Sequence, residues 1–135
     1  MWQLLCYTTC IHHYARGIAL AVLGRPEEAG LEQRQLAALI CTVPASRVVH
    51  NNVCSDLLPV ASAMLEGEVL YRLGRHEKAF RVLREAVQLA DGLAYDEPRG
   101  WMQPPRHALG ALLLEQVKGA SGGGRHTTGR RGMGS

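Results

Sequence analysis

Apolar residues recur at spacings of three and four over most of this chain, which is the period of one face of an α-helix. The clearest run is residues 76–91, where Phe80, Leu83, Val87 and Ala90 fall on one stripe between charged positions. Comparable runs predict helices over residues 9–23, 26–41 and 55–73. A fifth begins near Pro105 and carries Leu109, Leu112 and Leu113 before fading near residue 117. Pro26 with Glu27-Glu28 suits a first helical turn, because proline lacks only an orphan N–H there and carboxylates face the positive dipole end. Ser55 or Asp56 is the expected N-cap of the third helix, with Pro59 in its first turn. Three stretches break the period. Residues 42–54 hold Pro44 and Asn51-Asn52, residues 93–104 mix proline, glycine, charge and aromatics, and residues 119–135 are rich in glycine with almost nothing apolar.

The helical runs repeat. Residues 17–29 can be laid on residues 67–79 without a gap at an offset of 50, and seven of the thirteen positions are identical. These are both glycines, Leu20/Leu70, Leu23/Leu73, Arg25/Arg75, Glu27/Glu77 and Ala29/Ala79. Self-similarity at a fixed period is the signature of a solenoid. The first glycine of each block, Gly17 or Gly67, lies inside a helix, where it costs about 1 kcal/mol relative to alanine. Its presence predicts that another helix approaches the backbone closely there. The second, Gly24 or Gly74, follows a leucine at the place where a helix ends, and glycine takes the left-handed conformation of that stop without steric penalty. The expected unit is therefore a helix, a tight turn and a second helix.

Composition supports an all-α fold: 47% of residues are apolar but only 5% aromatic, and alanine and leucine dominate. The net charge of +3 is unevenly placed. Lys118, Arg125, Arg130 and Arg131 stand in a stretch without acids, which leaves 11 basic against 12 acidic residues in positions 1–117. A nucleic-acid-binding domain concentrates its cations on one face of a folded body, so nucleic acid is not the expected partner. No stretch reaches the roughly 20 apolar residues of a membrane span, and residues 1–10 lack the basic start and apolar run of a secretory signal. With Cys6, Cys10, Cys41 and Cys54 read as reduced and buried thiols, the expected location is the cytoplasm.

The two thirteen-residue blocks resemble the tetratricopeptide repeat, with Gly17/Gly67, Gly24/Gly74, Ala29/Ala79 and Ala86 at its small-residue packing positions. His107-Ala108-Leu109-Gly110-Ala111-Leu112-Leu113 resembles the opening of a third unit. Arg16 and Glu66 stand where the repeat usually carries leucine, and the offset of 50 exceeds its usual period of about 34. The chain is also similar, over residues 7–116, to part of the C-terminal half of a group of large bacterial tetratricopeptide-repeat proteins. Tyr7-Thr8-Thr9, Tyr14-Ala15-Arg16-Gly17, Leu83-Arg84-Glu85-Ala86-Val87, Tyr95-Asp96-Glu97-Pro98 and the run from Trp101 to Ala111 carry that likeness. After Gln116 the group continues with a glycine turn and a second helix, whereas this chain reads Val117-Lys118-Gly119, as a truncated or frameshifted reading frame would.

The resemblance implies a right-handed α-solenoid of antiparallel helix pairs. About two and a half units are expected, residues 8–41, 55–91 and an incomplete 105–117, in one domain of residues 1–117 followed by a disordered tail of residues 118–135. It implies a protein-interaction scaffold rather than an enzyme, with no cofactor. Its concave groove would take Tyr14, Ile18, Met64, Glu68, Tyr71, Arg72, His107 and Ala111. The partner would be a peptide or another domain. Solenoids need about three repeats with capped ends, so exposed repeat ends and self-association are expected.

Three constellations could carry chemistry. Cys6, Cys10 and His13 share a helix face with His12 beside them, and thiolates and imidazoles ligate zinc. The spacing is unlike that of structural zinc sites and no fourth donor is evident, so small buried thiols are expected instead. Cys54, His50 and Asp56 contain a nucleophile and a base, but such partners are seldom close in sequence. The stretch from Tyr95 to His107 is the richest. Asp96, Glu97, Trp101, Arg106 and His107 could form an acid–base or anion site in an enzyme completed by other sequence, or a partner-binding hot spot. The plainer expectation is a rigid loop with Trp101 packed on the helices and Asp96 or Glu97 paired with Arg106.

Overall fold

The computed structural model describes residues 2–122, with side chains from residue 5 onward. Five helices follow one another: α1 (Trp2–Val22), α2 (Pro26–Ile40), α3 (Cys54–Arg72), α4 (His76–Asp91) and α5 (Pro105–Gly122). A two-stranded antiparallel hairpin, β1 (Val48–Val49) and β2 (Asn52–Val53), interrupts an otherwise helical chain. It pairs Val48 with Val53 and Val49 with Asn52. The two-residue turn places His50 at a φ of 51°. Among the described residues no helix is long and apolar enough to cross a membrane.

Both predicted glycine stops are present, with the same hydrogen bonds. Gly24 and Gly74 adopt φ of 80° and 78°. At the first, the Arg25 N–H donates to the Leu20 carbonyl at 2.9 Å and the Gly24 N–H to Ala21 at 3.1 Å. At the second, Arg75 donates to Leu70 and Gly74 to Tyr71, both at 2.9 Å. This is the Schellman pattern, which satisfies carbonyls that a helix end would leave orphaned. Each stop reverses the chain within three residues, so α1 lies against α2 and α3 against α4. Next, α3 packs on both α1 and α2, and α5 packs on α4 and to a lesser extent on α3.

The helix glycines do what their position requires. A Cβ on Gly17 would lie 2.7 Å from a Leu65 methyl, and one on Gly67 would lie 2.5 Å from Leu83 Cγ. Leucines of neighbouring helices therefore sit in notches over bare backbone. The larger core cluster joins α1, α2 and α3 through Cys10, Tyr14, Ala21, Leu36, Leu58, Ala61, Met64 and Leu65, and it includes Trp101 from the second long loop. A smaller cluster joins α3, α4 and α5 through Leu70, Tyr71, Val82, Leu83 and Leu112.

Three boundaries differ from expectation. Helix α1 begins at Trp2 rather than residue 9. The Thr9 hydroxyl donates to the Leu5 carbonyl at 3.0 Å, and Cys6 and Cys10 are fully buried, so the turns before residue 9 are helical too. Helix α3 starts at Cys54 with Val53 as N-cap, because the hairpin feeds straight into it and the Cys54 N–H donates to the Arg47 carbonyl at 2.8 Å. Pro59 consequently falls one turn deeper than expected, where the Ser55 carbonyl it leaves without a helical donor belongs to an exposed residue. Helix α5 runs on to Gly122 instead of ending near residue 117, so residues 118–122 are helix and not tail. The rest of the predicted tail lies outside the described residues.

Candidate functional site

The two long loops that separate the helical runs meet each other, and their junction contains the richest cluster of polar side chains. Asn52, in β2, is 4% exposed and forms a two-way amide pair with the second loop. Its Nδ2 donates to the Ala94 carbonyl at 3.1 Å, and its Oδ1 accepts from the Ala94 N–H at 2.8 Å. One residue earlier, the Asn51 N–H donates to Asp96 Oδ2 at 3.2 Å and its side-chain amide donates to the Tyr95 carbonyl at 3.1 Å. Gly100 passes so close that a Cβ would lie 2.5 Å from Asn52 Nδ2.

Beyond this clasp the loop drives Trp101 between the helices, to 2% exposure. Its indole N–H donates to Met64 Sδ at 3.0 Å, and its ring meets Tyr14 edge-on at 5.1 Å between centroids. The Tyr14 hydroxyl donates to Gln103 Oε1 at 2.8 Å. Burial, with the charge of Glu68 nearby, pushes the Tyr14 phenol up to about 12. That phenol is a structural donor, not a base.

Several of the expected groove residues are buried in the fold. These are Tyr14, Met64, Glu68 and Tyr71, and the aromatic or apolar ones belong to the core clusters. Glu68 accepts from Arg72 Nε at 2.9 Å, and Arg72 Nη1 reaches Glu115 of α5 at 3.2 Å. The Arg72 guanidinium also lies 5.3 Å from the Tyr71 ring centre. These residues tie α3 to α4 and α5, because α3 is packed by neighbours on nearly every side and has little free face. Ile18 and Arg72 remain partly accessible, while His107 and Ala111 are exposed.

The expected pairing of Asp96 or Glu97 with Arg106 is replaced by another. Arg106 makes a two-pronged contact with Asp91, at 2.6 and 2.9 Å, because Asp91 at the end of α4 faces the first turn of α5. The guanidinium holds the Asp91 carboxyl below its usual range. Asp96 is committed to Asn51, and Glu97 bonds the Tyr95 phenol and pushes it upward. A cavity of about 360 Å³ opens between these groups, lined among others by Asp91, Tyr95, Glu97, Arg99, Trp101 and Arg106. His107 is not among its lining residues.

The thiol constellations do not assemble into reactive sites. His13 Nδ1 lies 2.5 Å from Glu32 of α2, and Arg16 lies 3.3 Å from the same carboxylate, so this face of α1 is bound to its partner helix. Among the described residues no three His, Cys, Asp or Glu side chains converge as metal donors. Cys6, Cys10 and Cys54 are fully buried, whereas Cys41, expected to be buried with them, is exposed because it follows the last turn of α2. Burial, reinforced by the neighbouring thiols Cys6 and Cys54, pushes Cys10 up to about 11. Burial is also the main cause of the raised Cys54 thiol, the opposite of what a nucleophile needs. Ellman titration of the native protein at pH 8 is expected to detect one fast-reacting thiol, exposed Cys41, and all four after denaturation. Fast reaction of two or more native thiols would contradict the packing of α1 on α3.

Asn52, Asp91, Gly100 and Gln103 are the functional-looking residues that the sequence did not single out. Asn52 sits in a sequence that reads as an ordinary turn, and its role appears only when the second loop arrives. No family model matches this chain, and no curated protein or solved structure matches it either.

Proposed function

We propose that this chain is a tetratricopeptide-like scaffold, a right-handed stack of antiparallel helix pairs that binds a peptide or a partner domain. One observation carries the reading: two successive helical hairpins use the same glycine stop, and each has a glycine notch filled by a leucine from a neighbouring helix. Such repetition builds an extended surface rather than an enclosed pocket, and extended surfaces suit peptides. The accessible groove is narrower than the sequence implies. The expected groove residues that stay accessible are Ile18, the Arg72–Glu115 pair, His107 and Ala111. Three thiols packed as apolar groups suit a reducing, cytoplasmic setting.

A displayed library of random twelve-residue peptides, selected on the full chain, tests the reading. We expect enrichment of a shared motif with dissociation constants of about 1–100 µM. Ile18→Glu and His107→Glu should each weaken binding about tenfold or more while leaving helicity unchanged. Peptides that bind both variants undiminished, or a library with no enriched motif, would remove the groove as the binding surface.

A second reading places a small ligand in the loop cavity. Its support is the volume of about 360 Å³, within the range of small-molecule sites, with Arg99 and Arg106 at the wall. Ligand-induced thermal shifts that vanish in Arg99→Ala, with peptide binding intact, would favour it.

A further inference from the structure

Helix α5 leaves one face without a protein neighbour. Gly110, Leu113, Leu114 and Val117 fall at i, i+3, i+4 and i+7, on the side opposite the buried Leu112. Leu113, Leu114 and Val117 are 37%, 55% and 62% exposed. Gly110 is open too: nothing lies within 4 Å of where its Cβ would be. The corresponding glycines of α1 and α3 are both filled, Gly17 by Leu65 and Gly67 by Leu83. In the sequence Gly110 and Leu113 stand to each other as Gly67 and Leu70 do, but Val117 takes the place of the stop glycine Gly74. The helix therefore continues to Gly122 and no hairpin partner turns back over the notch among the described residues.

We propose that this face is closed by a second copy of the same chain, α5 against α5 in antiparallel register about a two-fold axis. The face carries both halves of the contact that the fold uses twice already, an empty glycine notch and exposed leucine knobs. A two-fold contact requires that if residue i of one copy meets residue j of the other, the reverse also holds. Centring the pair near position 112 sets Leu114 of each copy over Gly110 of the other and meets that requirement with one geometry. Charge opposes it little, since Lys118 beside Val117 is exposed and its long side chain can keep its ammonium in water. Arg106 and Glu115, which flank the stripe, are already neutralised within the chain by Asp91 and Arg72. Residues 123–135 contain a single apolar side chain, Met133, too little to cover three large ones. The contact shares α5 with the proposed groove, since His107 and Ala111 lie on the same face as Leu114, so a bound peptide and a second copy would compete. The dimer is read without peptide, and its failure leaves the peptide-binding reading standing.

Light scattering and sedimentation of the full chain test the proposal. A dimer is expected at protein concentrations of about 100 µM, dissociating on dilution, as suits a contact of modest apolar area. Leu114→Glu should raise the dimer dissociation constant by about thirtyfold or more, because a carboxylate would have to be buried in the contact. Leu23→Glu, an exposed apolar residue at the far end of the first hairpin (72% exposed), should leave it unchanged. Val117→Lys repeats the test at an independent position, should Leu114→Glu alter the circular dichroism. A wild-type monomer at that concentration overturns the proposal. So does a dimer that survives both α5 substitutions.

Discussion

Trp101→Ala is expected to lower the free energy of unfolding by about 3–5 kcal/mol, the range found for deleting a large buried aromatic. Three losses combine in one position. The side chain is 2% exposed and sits in the larger core cluster, so its removal leaves a cavity among Tyr14, Met64 and their neighbours. The edge-on contact with Tyr14 disappears, as does the N–H donated to the Met64 sulfur. The loop of residues 93–104 also loses its deepest anchor and keeps the clasp with Asn51 and Asn52 and the Tyr14–Gln103 hydrogen bond. A domain of this size has about 5–15 kcal/mol in total, so the variant should show a large drop in urea midpoint followed by far-ultraviolet circular dichroism. Trp101→Phe should recover part of the loss through packing alone. A loss below about 1 kcal/mol would mean that the helices hold together without the loop. The reading of residues 95–107 as a structural brace would then fail.

The second large effect is one of sign. Gly→Ala inside a helix ordinarily contributes about 0.5–1 kcal/mol of stability, through lower backbone entropy in the unfolded chain. At Gly67 the opposite is expected. A methyl group there would lie 2.5 Å from Leu83 Cγ, and Leu83 is 1% exposed, with no free direction in which to retreat. Overpacking of this kind costs about 1–3 kcal/mol, enough to outweigh the propensity gain. At Gly110, with nothing within 4 Å, the same substitution should stabilise the chain by the ordinary amount. Measured side by side in urea at low protein concentration, the two variants should move the midpoint in opposite directions. Stabilisation at both sites would show that α4 does not pack on α3 through this notch. Destabilisation at both would show that Gly110 is already covered.

Much of the local structure could be read from the chain, because it is governed by interactions within a few residues. The helical period, the proline and acidic start of α2 and the two glycine stops depend on backbone geometry and neighbouring hydrogen bonds. Gly24 and Gly74 adopt the left-handed conformation that their context predicts. The same reasoning placed a helix over residues 76–91 and found it there. It was weaker where two local tendencies compete. Thr8-Thr9 looked like a boundary and became helix once Cys6 and Cys10 were buried beyond them.

The candidate site was legible only in part, since it depends on which distant surfaces meet. Sequence pattern put Tyr14 on a face of α1 and Met64, Glu68 and Tyr71 on a face of α3, but it could not show that α4, α5 and the second loop enclose them. It matched Arg106 with the nearest plausible carboxylates, Asp96 and Glu97. The fold instead brings Asp91 alongside, because the end of α4 and the start of α5 converge across the intervening loop. Asn52 shows the difference most plainly: its bonds to Ala94 span 42 residues. What the sequence determined by itself was the helices, their stops and the positions too crowded for a side chain. The tertiary structure alone decided which loops clasp, which polar groups are spent on that clasp, and which helix face stays open. A periodic pattern records that a residue faces something, whereas the identity of that something is set by packing between segments far apart in the chain.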